Sequence, residues 1–118
     1  MFPNWKSDRI RLIKRWFKHF WQRRTRGWDD RETWNLDYSL ALIIAPRLKR
    51  FKELTHCHPM DITMNQWYNV LDKMIFTFEK LADDEYQWPG IGDNSEETIK
   101  AVEEGRELFH KYYHDLWW

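Results

Sequence analysis

The segment from Trp34 to Leu54 constrains the fold most, because its middle, Leu40 to Ala45, is apolar on every side. A helix without a polar face belongs inside a protein. At about 100° per residue, Leu36, Leu40, Ile43, Ile44, Leu48, Phe51 and Leu54 share one arc, and Tyr38, Leu42 and Ala45 cover the opposite side. The pattern predicts a central helix around which the others pack. Asp37 interrupts the arc at one edge and Arg47 near its middle. Pro46 removes one backbone hydrogen bond and crowds the preceding turn, yet the apolar pattern resumes in phase beyond it. The expectation is one continuous helix kinked between Leu42 and Pro46. His56-Cys57-His58-Pro59 ends it, since the residue before a proline avoids helical angles.

Three more helices follow from periodicity. Over residues 5–22, Ile10, Leu12, Ile13, Trp16, Phe17, Phe20 and Trp21 occupy half the circumference, and Arg11, Lys14, Arg15, Lys18 and Gln22 the other half. Arg23 to Gly27 closes this helix, with Gly27 suited to a left-handed cap, and Trp28 to Asn35 forms a polar connection. Thr63 and Gln66 make a capping box that opens a helix to about Ala82, with Trp67, Val70, Leu71, Met74, Ile75, Phe78 and Leu81 inward. Glu85 to Asn94 reads as a loop around Pro89-Gly90 and Gly92. Asn94 or Ser95 then caps a last helix to about Leu116. Its inward face carries Val102, Phe109, Tyr112, Tyr113 and Leu116, and Gly105 lies on that face to let a neighbour approach closely. With no stretch of period two, the expected fold is all-α: a compact bundle of about four helices in one domain, residues 1–118. It comprises a basic helix at 1–26 and a body at 27–118.

A chain of 118 residues can bury a core without staples. Its one cysteine, Cys57, cannot form an intrachain disulfide, which points to a reducing compartment. No secretory leader is readable at the N-terminus, and the longest apolar run, Leu40 to Pro46, falls far short of the roughly 20 residues of a membrane span. The chain is neutral overall, but residues 1–26 hold nine Lys/Arg against Asp8 alone, so the remainder is acidic by the same margin. Such asymmetry points to an anionic partner for the basic arm, or to docking of the arm on an acidic body.

The motifs of common chemistries do not assemble. Glu53–His56 and Glu107–His110 are E-x-x-H pairs, but the second lies on a polar stripe with Glu103 and His114, and the other helices supply no matching carboxylates at the right level for a di-iron site. His110/His114 and His56/Cys57/His58 each lack the three or four converging ligands that zinc requires. Cys57 has no readable oxyanion device. The phosphate-binding glycine motifs and the G-x-S-x-G and H-E-x-x-H signatures are missing. The reading is a non-enzyme without metal or cofactor.

Two binding surfaces remain. Arg47 on an apolar arc needs a partner, either an internal carboxylate or a phosphate. In the second case Lys49, Arg50 and Lys52 stand near it, and Trp34, Trp67 or Trp88 could stack on a base, making a nucleotide pocket to which Asp37 is also assigned. The alternative surface is the N-terminal helix. There Arg11, Lys14, Arg15, Lys18, Arg23 and Arg24 suit a nucleic-acid backbone, or equally an anionic membrane surface.

The run G-W-D-D-R-E-T-W-N-L-D-Y-S-L-A-L-I-I-A-P-R-L-K-R-F-K-E (27–53), with K-M-I-F-T-F-E (73–79) and E-G-R-E-L-F-H-K-Y (104–112), resembles a family of small phage-encoded helical proteins. The match spans about residues 27–116 and leaves out the basic arm. The resemblance implies a bacteriophage origin and action in the host cytoplasm, and it carries no catalytic residues; a homo-oligomer is expected separately. The expected function is binding to block or sequester a host component, either a protein or a nucleotide immune signal. The alternatives are nucleic-acid binding through the basic helix and a structural or packaging role in the virion.

Overall fold

The computed structural model describes residues 5–87, 92 and 94–118. Four α-helices account for most of them: α1 (Trp5–Arg26), α2 (Leu36–Leu54), α3 (Met64–Leu81) and α4 (Glu96–Lys111). Short 3-10 turns follow α1 (Asp30–Glu32), α3 (Asp84–Gln87) and α4 (Tyr113–Asp115). The fold is all-α, as the periodicities require. Trp88 and the rest of the Pro89-Gly90 loop lie outside the described residues.

The chain forms two compact units, Met1–Leu36 and Asp37–Trp118. The reason is chemical. The connection after α1 folds back on that helix: Asp29 bonds Arg23 at 2.7 Å and Arg31 at 3.0 Å, while Asp30 holds Arg26 at 2.7 Å and Lys18 at 3.1 Å. Asp29 and Glu32 also form a capping box on the 3-10 turn. Gly27, the one residue with a positive φ among those described, at 84°, reverses the chain.

In the second unit the helix that sits deepest is α3, not α2. Trp67, Leu71, Met74, Ile75, Thr77 and Phe78 are buried along it. Thr63 and Gln66 cap it reciprocally, at 3.2 and 2.9 Å. Helix α4 lies close against α3, with Val102 and Gly105 buried, and Tyr112 enters the core beside Trp67, ring centroids 5.5 Å apart. Tyr112 remains satisfied there by donating its hydroxyl to Asp61 at 3.2 Å.

Helix α2 departs from the expected central rod. Its buried residues are Ala41, Ala45 and Leu48, while Leu36, Leu40, Leu42 and Ile43 are exposed. Small side chains at 41 and 45 join Leu48 in the core, with Ile44 and Phe51 packed against it, so only Leu36, Leu40 and Ile43 of the expected inward arc face outward. Pro46 lies inside an uninterrupted helix. Phe51 meets Trp67 edge to face, and Lys52 pairs with Asp72 at 2.7 Å and Lys49 with Glu79, which fastens α2 to α3.

Candidate functional site

Within the second unit, the residues proposed for a nucleotide pocket do not line one cavity. Arg47 is exposed, and its guanidinium donates to the Ile43 carbonyl one turn back at 2.9 Å. It is therefore not a charge enclosed in hydrocarbon, and neither a buried carboxylate nor a phosphate is needed to balance it. Trp67 is 1% exposed, sealed between Phe51 and Tyr112, and offers no face for stacking. Trp34 is exposed in the first unit, and Trp88 lies outside the described residues. Lys49 and Arg50 are committed to Glu79 and Glu53.

What α2 and α4 do form is an apolar groove over the core. One part, about 340 Å³, is lined by Leu40, Ile44, Phe78, Leu81 and Phe109, with Asp37 and Arg106 at its polar edge. The adjoining part, about 230 Å³, continues along Leu48, Phe51 and Leu116, with Arg47 beside it. A shallower depression of about 670 Å³ involves Lys49, Lys52, Glu53, Tyr68 and Asp72, where the lysines are neutralised by carboxylates. Arg106 is paired with Glu103, whereas Arg47, beside Phe51 and Phe109, has only the Ile43 carbonyl as its partner among the described residues. Among the described residues no three His, Cys, Asp or Glu side chains come together as metal ligands.

The first unit is built differently. Taken by itself, α1 presents Ile10, Leu12, Ile13, Trp16, Phe17, Phe20 and Trp21 all between 47% and 64% exposed. The aromatic residues organise one another: Trp16 stacks on Phe20 with 8° between planes and meets Phe17 edge-on at 5.1 Å. On the opposite half, Arg11, Lys14 and Arg15 form no ion pair or hydrogen bond with any described residue, nor do Arg9 and Arg24 toward the helix ends. Lys18 and Arg23, by contrast, are engaged by Asp30 and Asp29. The six cations proposed for nucleic-acid binding thus fall into a free group (Arg11, Lys14, Arg15, Arg24) and a pair spent on local structure.

That anchoring rests on two acids that the charge count passed over. Hydrogen bonds from Arg31, and then from Arg23, hold Asp29 well below the usual carboxylate range against the opposing effect of burial. Asp30 is lowered to about 2, chiefly by hydrogen bonds from Gln22, Arg26 and Lys18. The signal for this was local: Asp29 followed three residues later by Glu32 has the spacing of a capping box. Arg26 completes the junction by lying over the Trp28 ring, 3.8 Å from its centroid.

Comparison of this chain with models of protein families, with curated proteins and with solved structures finds no match.

Proposed function

We propose that this chain is a non-enzymatic binding protein whose working surface is α1, an amphipathic cationic helix that engages an anionic partner. One observation carries the reading: unpaired Arg11, Lys14 and Arg15 share a helix with an exposed aliphatic and aromatic half. Exposed apolar surface of this size on a small domain marks an interaction site. The free cations select the sign of the partner's charge and steer its approach. The second unit then serves as the folded body, and its apolar groove is a place for self-association. That the partner belongs to an infected host cell follows from the resemblance to small phage proteins alone. The nucleotide-signal version draws no support from Arg47, whose guanidinium is turned onto its own helix.

A second reading, nucleic-acid binding through the same helix, is favoured specifically by the free cations, which could track phosphates. It leaves the apolar half unexplained. One titration tests the general reading. The chain and its Arg11→Gln/Lys14→Gln/Arg15→Gln variant are titrated at low salt with duplex DNA, heparin and anionic vesicles. Each cation near an anionic surface contributes about 1 kcal/mol, so the variant is expected to bind its partner about a hundredfold more weakly. Failure of the unaltered chain to bind any of the three would overturn the reading.

A further inference from the structure

Resting on that assignment of α1, we infer that the anionic partner is the surface of a lipid bilayer, with the helix lying in the headgroup plane. The argument is one of coverage. A nucleic acid offers phosphates to Arg11, Lys14 and Arg15 but leaves Ile13, Trp16 and Phe17 in water. A bilayer surface satisfies both halves at once: the apolar half enters the boundary between headgroups and acyl chains, and the cationic half stays level with lipid phosphates.

Several features fit this placement. Between residues 10 and 22 the two halves are cleanly separated, with only cations, His19 and Gln22 opposite the apolar arc. The apolar half is rich in Trp and Phe, residues that settle at the interfacial depth. Arg9 and Arg24 fall within the apolar arc but at its two ends, and their stems are long enough to carry the guanidinium groups out to the phosphates. At 22 residues α1 is roughly 33 Å long, yet its cations exclude a spanning orientation, and no described helix is long and apolar enough to cross a membrane. The clamp of Asp29 and Asp30 on Arg23, Arg26 and Lys18 keeps the far end of α1 helical, so the face is ordered before it meets the lipid.

The test is flotation of the full chain with vesicles of phosphatidylcholine alone or mixed equally with phosphatidylglycerol, run beside duplex-DNA binding. The expected result is flotation with the anionic vesicles, at least about tenfold weaker with the neutral ones. Ile13→Gln/Phe17→Gln, which leaves the charge of α1 unchanged, is expected to abolish flotation while leaving any DNA binding within about twofold. The Arg11→Gln/Lys14→Gln/Arg15→Gln variant, which preserves the apolar half and favours helix, keeps the test valid if the substitutions at 13 and 17 unfold α1. It should lose the preference for anionic lipid. Flotation unchanged by the substitutions at 13 and 17, or equal on both lipids, overturns the inference. DNA binding without flotation overturns it too but leaves the cationic-helix reading standing, whereas binding to neither removes both.

Discussion

Thr77 and Gly105 meet across the seam between α3 and α4 so closely that a side chain at 105 has nowhere to go. A Cβ there would collide with the Thr77 hydroxyl and lie 2.5 Å from the Lys73 carbonyl oxygen. The Thr77 hydroxyl itself donates to the Val102 carbonyl at 3.0 Å, deep in the interface. Gly105→Ala should gain about 1 kcal/mol in helix propensity but lose about 3 by forcing the helices apart, for a net loss of about 2. Urea unfolding followed by circular dichroism measures it. Because the two residues touch, Gly105→Ala combined with Thr77→Ala should destabilise less than the sum of the single changes. Additive or stabilising behaviour would mean that the seam is slack.

The seam was legible in the sequence, and so was most of α3: a glycine on an otherwise apolar face, a capping box at Thr63 and a single clean stripe from Trp67 to Phe78. Periodicity works there because one face is wet and one is dry. It failed for α2, where apolar residues surround the helix and no face is marked as the inner one. The alanines at 41 and 45 are the buried residues of that stretch, and Leu40 and Ile43 are left outside. Arg47 was misread for the same reason, its burial having been inherited from that of the helix. On α1 the two halves were readable but the fate of the apolar one was not, because periodicity reports a greasy face without saying what covers it. Asp29 and Asp30 were hidden by counting charge over residues 1–26, which stops short of the acids that neutralise its end.

Arg47→Ala should change the unfolding free energy by no more than about 0.5 kcal/mol, because an exposed side chain bonded to its own helix contributes little. Trp67→Ala, by contrast, should cost about 3–5 kcal/mol, since its ring fills the space between Phe51 and Tyr112. Chemical denaturation of both variants checks the contrast. A large loss for Arg47→Ala would restore the enclosed guanidinium.

Pro46 is exposed in the middle of α2, so its ring makes no indispensable contact. Replacement by alanine restores an N–H to bond the Leu42 carbonyl and removes the clash with the preceding turn, a gain of about 3 kcal/mol. The same change frees the unfolded chain, offsetting about 1. Pro46→Ala is expected to stabilise the protein by about 2 kcal/mol, seen as a raised denaturation midpoint. A loss of stability would show that the proline's local geometry is needed to seat Ala41 and Leu48 in the core.

The junction after α1 should fail in acid. Both Asp29 and Asp30 titrate below their ordinary value of 3.8, Asp30 at about 2. A carboxyl whose folded pKa is depressed binds its proton more readily when unfolded, so its stabilising effect is complete above that ordinary value. As the pH falls below about 4 toward the folded values, the effect is progressively lost. Hydrogen exchange at the Arg31 amide, which donates to Asp29 at 2.9 Å, should therefore lose protection as the pH falls from about 4 to 2, after correction for intrinsic exchange. The core amides of α3 should change less over the same range. Asp29→Asn should remove most of that pH dependence and leave the Arg26–Trp28 stack loosened at every pH, readable as a shift in amide and indole resonances. If Arg31 stays protected down to pH 2, or if the asparagine variant titrates like the parent, the Asp29 carboxylate does not hold this turn to α1.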